Sequence, residues 1–182
     1  MNSEEQDIVK LFLQNVDDLF NHSLIKNSKL KLHTTLSNSD TDGFSVSKID
    51  IEKEGLESLL VRLRRFTNKS EIIYFNKVIN ILMKNEKNKI SCSYLNSLKD
   101  LFQNKGNYKS LILKQNQDTY SPEQIFDFIL NGKMFHVDVE KRKIVDEISD
   151  KFVLFNDSFI ISVISKINAL IDTRRYLISR VI

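Results

Sequence analysis

One proline, four glycines, one cysteine and no tryptophan occur in 182 residues. Turn-forming residues this scarce argue against a sandwich or barrel of many short strands and favour long helices. A lone Cys92 excludes an intrachain disulfide and a cysteine-based zinc knuckle. No long apolar run is present. The most apolar stretch, "SFIISVISKINALIDTRRYLI", is charge-free only from Ser158 to Ser165, far below the ~20 residues that span a bilayer. The start, "MNSEEQDIVK", is acidic and carries no apolar leader core. These absences predict a soluble, cytoplasmic protein without membrane contact.

What is present is an ordinary globular balance, 41% hydrophobic and 28% charged, in a chain sized for one domain over residues 1–182. The net charge of +3 is unevenly spread. Residues 1–60 carry six lysines against eleven acids, and residues 61–114 carry twelve lysines or arginines against three. A basic middle attracts polyanions through counterion release, although a solvated Lys- and Asn-rich surface has the same composition.

The periodicities predict a mainly α, single-domain helical bundle with a small antiparallel β-hairpin near the N-terminus. Residues 3–20 repeat Ile8, Leu11, Phe12, Val16 and Leu19 at helical spacing, with Ser3 as the expected cap. "KLKLHTTL" and "FSVSKIDI" alternate apolar and polar residues around a loop ending at Gly43, which reads as a hairpin over 29–51. The bundle then occupies 55–182. Leu56, Leu59, Leu60, Leu63 and Phe66 form one stripe, and Ser70 caps a following helix. A further helix lies near 91–103, and "YKSLILK" at 108–114 reads as a third strand. "SPEQIFDFIL" opens another helix with Ser121 as cap and Pro122 in the first turn, and Gly132 closes it in the left-handed conformation. Asp138 is expected to cap a helix near 139–150, before a last helix near 156–180. That last helix, rich in Ile160, Val163, Ile164, Ile167 and Leu170, is either the core helix or a homodimer seam, with core favoured.

No P-loop, GxGxxG, GxSxG or HExxH pattern occurs. The chemistry therefore narrows to two places. In "GKMFHVDVEKRK", His136 lies two residues before Asp138 and can serve as an acid–base or ligand pair. The alternative is a structural corner made by Gly132, His136, Asp138 and Lys141. HEPN-type ribonucleases place an arginine a few residues before a histidine on one helix, and "LNG" upstream of His136 departs from that. In "VRLRRF", Arg62, Arg64 and Arg65, with Lys69 and Lys77 beyond them, are candidates for anion or nucleic-acid binding. Their alternative is bridging to the acids Asp17 and Asp18 of the first helix. Cys92 has no base beside it and reads as packing.

"LLVRLRRF" followed by "GKMFHVDVEKRK" resembles small bacterial helical proteins that pair an LRxF-like helix with a GxxFHxDxxK-like corner. The likeness covers two short patches and implies no activity. It singles out Arg62, Arg65, His136, Asp138 and Lys141. The sequence thus points to a non-enzymatic interaction or regulatory protein, without cofactor or metal, whose partner is another protein. Nucleic-acid binding through 61–114 and a small enzyme or metal site at His136 and Asp138 are the alternatives.

Overall fold

A computed structural model describes residues 1–22, 53–102 and 120–181, with the side chains of residues 53, 54, 69, 70 and 71 excluded. The element order is α1 (Ser3–Phe20), α2 (Lys53–Thr67), α3 (Lys69–Asn85), α4 (Lys89–Leu101), α5 (Pro122–Asn131), β1 (Phe135–Asp138), β2 (Lys143–Asp146), β3 (Phe152–Leu154) and α6 (Asp157–Arg180). The described chain is mainly helical, as the periodicities predict. Its sheet, however, lies near the C-terminus and not near the N-terminus. The hairpin expected over 29–51 and the strand expected at 108–114 fall outside the described residues.

Four of the helices, α1, α4, α5 and α6, start where a side chain satisfies their free amide groups. Asn2, one residue before the expected Ser3, caps α1 by accepting from the Glu5 N–H at 2.8 Å. Lys69 opens α3, so Ser70, expected just before it, lies within the helix. Asn88 caps α4, and Asn156 caps α6. At α5 the Ser121 hydroxyl and the Gln124 side chain satisfy each other's backbone amides, with Pro122 in the first turn. Helix α5 does end at Gly132, but with φ −76°, so the expected left-handed stop is not used.

The core is one cluster of buried side chains drawn from all six helices and the sheet. Phe12 of α1 meets Phe66 and Phe75, and Phe75 meets Phe102 with ring centroids 4.9 Å apart. A second aromatic group, Phe126, Phe155 and Phe159, joins α5 to the start of α6. Phe159, Ile160, Val163, Ile164, Ile167, Leu170 and Ile171 of α6 are all buried within the chain, which makes α6 the core helix. Among the described residues no helix is long and apolar enough to cross a membrane.

The segment 139–150 corrects the sequence reading most sharply. It holds no helix. Strands β1, β2 and β3 form an antiparallel sheet in that order, with His136 opposite Val145 and Asp138 opposite Lys143. Asp138 does perform local capping: its Oδ1 accepts the Lys141 N–H at 3.0 Å. The capped feature is a four-residue hairpin loop, closed by Arg142 N–H to the Val139 carbonyl and by Arg142 at φ 50°. Asp146 repeats the device in the next turn, where its Oδ1 accepts from Ile148 and Ser149. An aspartate followed by charged residues begins a turn and a helix with the same hydrogen bond. The alternation Phe135, Val137, then Ile144, then Val153, all buried, decides for strands.

Lys166 is the unusual cation of the core. Its ammonium group donates to the Leu101 carbonyl at the end of α4. It also lies 5.2 Å from the Phe102 ring centroid and 5.0 Å from that of Phe126. Burial, only partly opposed by Glu123, brings its pKa from 10.5 down to about 8. Between those two values the unfolded chain holds a proton that the folded chain has released, so stability rises with pH across that window. Chemical denaturation at pH 8 and pH 10 is expected to show this rise in the wild type. Lys166→Met should flatten it, and an equal rise in the variant would contradict the assignment.

Candidate functional site

Helix α2 has two working faces. Leu56, Leu59, Leu60, Leu63 and Phe66 are buried. Ser58, Val61, Arg62 and Arg65, at the i, i+3, i+4, i+7 spacing of one helical stripe, face away from that core. Opposite them stands the β1–β2 hairpin. Alternation along β1 buries Phe135 and Val137 and turns His136 the other way. Glu57 joins the two walls: its Oε2 accepts the Val137 N–H at 3.1 Å and so satisfies the outer edge of β1.

Between these walls lies a cleft of about 770 Å³ lined by Asp18, Glu57, Ser58, Val61, Arg62, Arg65, His136 and Glu147. His136 is partly exposed in it, and its Nδ1 is 3.7 Å from Glu147 Oε1. Arg62 is fixed from both sides. Its Nε donates to Asp18 Oδ2 at 3.2 Å, and its Nη1 donates to the Ser58 hydroxyl. Arg65 is exposed and makes no hydrogen bond or ion pair among the described residues. Close by, His22 is buried at the end of α1. Burial and the Arg62 guanidinium lower its pKa against the opposing pull of Asp18, so its imidazole is neutral at pH 7.

The structure therefore brings together Arg62, Arg65 and His136 in one cleft, and Arg64 and Lys77 do not line it. Arg64 points to the opposite side of α2 and donates to the carbonyls of Ile129 at 3.1 Å and Gly132 at 2.6 Å. Its guanidinium also lies 5.5 Å from the Phe135 ring centroid. This is a helix-end clamp for α5, with the positive charge at the carbonyl end of the dipole. Lys77 is exposed on α3 and does not line the cleft. The side chain of Lys69 lies outside the described residues. Asp138 Oδ1 and the Lys141 N–H close the hairpin turn, and neither residue lines the cleft. The carboxylate that joins His136 in the cleft is Glu147, which no sequence spacing singles out. The hairpin register finds it: residue 147 is two beyond Val145, the diagonal neighbour of His136.

A smaller cavity of about 280 Å³ lies at the far end of α6, lined by Tyr94, Asp172, Arg175, Tyr176, Ser179 and Arg180. Its charges are internally matched. Asp172 accepts the Tyr94 hydroxyl at 2.8 Å and lies 3.8 Å from Arg175, while Arg180 meets Glu86 at 2.5 Å. Burial and the Asp172 carboxylate push the Tyr94 hydroxyl well above its ordinary pKa. No group of three His, Cys, Asp or Glu side chains among the described residues is placed to hold a metal ion. Comparison with protein-family models, curated proteins and solved structures gave no match.

The two neighbouring arginines separate structure from site. Arg64→Ala removes two charge-assisted hydrogen bonds at a helix end and is expected to cost about 2 kcal/mol. Arg65→Ala removes no hydrogen bond or ion pair among the described residues and should change stability by less than about 0.5 kcal/mol. Urea unfolding of both variants checks this, and equal losses would contradict it.

Proposed function

We propose that this protein is a non-enzymatic binding protein that engages a partner protein through the cleft between α2 and the β1–β2 hairpin. The observation that carries the reading is the state of Arg65. Every other charged side chain of the cleft is engaged within the chain, whereas the Arg65 guanidinium stands exposed and unmatched among the described residues. A planar five-donor fork in a cleft is suited to a carboxylate or phosphate group. Interfaces also draw on arginine more than on other charged residues.

An acid–base role for His136 is the second reading, favoured by one observation. The imidazole is part-exposed in the same cleft, with Glu147 Oε1 3.7 Å from Nδ1, an ion-pair distance rather than a hydrogen bond. The nucleic-acid reading draws less support. Of its five candidate residues, Arg62 is paired with Asp18, Arg64 is turned into the carbonyls of α5, and Lys77 lies on another helix. No continuous basic face joins them among the described residues.

The test is capture of partners from host lysate with wild-type protein, Arg65→Glu and Lys77→Glu. A partner bound through the cleft should weaken by ~10-fold or more with Arg65→Glu. It should be held undiminished by Lys77→Glu. A partner retained equally by Arg65→Glu would contradict the proposal.

A further inference from the structure

The charges of the cleft are of both signs, and the acids are in the majority. Asp18, Glu57 and Glu147 stand against Arg62 and Arg65, with His136 between them. Each acid commits one oxygen to the protein: Asp18 Oδ2 to Arg62, Glu57 Oε2 to the Val137 N–H, and Glu147 Oε1 towards His136. The second oxygen of each makes no hydrogen bond or ion pair among the described residues. A polyanion reaching for Arg65 would meet three carboxylates on the way, and like charges brought together in a cleft repel. A cation alone would find those oxygens but would also face the free guanidinium.

We infer that the cleft takes a peptide segment carrying charges of both signs, with an acidic side chain on Arg65 and a basic side chain on the free carboxylate oxygens. This rests on the proposed binding role and names its ligand class. Two further observations point to side chains as the contacts. Val61 is 49% exposed on the same wall and offers apolar surface to the stem of a long side chain. The β1 edge amide of Val137 is already taken by Glu57, which removes it as a partner for an added peptide strand. The volume of about 770 Å³ lies in the range of roughly 300–1,000 Å³ typical of ligand clefts.

The experiment titrates ¹⁵N-labelled full-length protein with four probes, reading backbone amides and arginine Nε–H resonances. Three probes are Gly/Ser hexapeptides blocked at both ends and carrying two Glu, two Lys, or one Lys and one Glu. The fourth is a single-stranded oligonucleotide. The mixed-sign peptide is expected to shift Arg65 and His136 with about tenfold higher affinity than the others. Glu147→Gln should reduce that preference while improving the two-Glu peptide. Equal or tighter binding of the two-Glu peptide overturns this inference and leaves a simple anion-binding cleft, so the proposed function survives. Tighter binding of the oligonucleotide, or no shift in the cleft with any probe, overturns both.

Discussion

The burial of one face of α2 is the constraint on which the rest depends. Leu56, Leu59, Leu60, Leu63 and Phe66 are all nearly inaccessible to water. At about 1.5–3 kcal/mol for each large apolar side chain, that face contributes on the order of 10 kcal/mol before entropy is counted. Part-exposed ion pairs such as Arg62–Asp18 contribute about 1 kcal/mol or less. The leucine face therefore orients the helix, and the charged residues accept the directions left to them. Because α2 packs its core face inward, the stripe Ser58, Val61, Arg62 and Arg65 has to look outward along the hairpin.

Three arginines within four positions end up with three separate duties for the same reason. Successive residues turn by about 100° around a helix, so adjacent side chains cannot share a target. Arg62 reaches α1, Arg64 reaches the end of α5, and Arg65 reaches the cleft. The first two connect elements far apart in sequence. The third makes no hydrogen bond or ion pair among the described residues. The opposite wall is built by equally local rules. Asp138 and Asp146 close two tight turns, and strand alternation then leaves His136 on the outer face while Glu57 covers the strand edge.

Much of the helical frame was legible from residue patterns, because helical stripes are long and repeat. The stripe of α2 and the apolar run of α6 each occupy several turns, and the Ser121–Pro122 start of α5 is a local cap signal. The sheet was not legible, because its strands hold only four, four and three residues. At that length strand alternation competes with an aspartate followed by charged residues, which marks a helix start equally well. Half of the site was visible: Arg62, Arg65 and His136 stand out by residue type, and Asp18 was an available partner. Glu147 was hidden because its place beside His136 comes from hairpin register rather than spacing. Ser58 and Glu57 were hidden because nothing in the sequence says which face of α2 meets β1.

The central claim is that α2 and the β1–β2 hairpin face each other across one cleft in solution. Paramagnetic relaxation measures it most directly, with a nitroxide at Val61→Cys in a Cys92→Ser background. Val61 is exposed on the cleft wall, so the label reports without disturbing the core. The account predicts strong broadening of the backbone amides of His136 and Glu147, some 75 to 86 positions away in sequence. Undiminished His136 and Glu147 signals would contradict it.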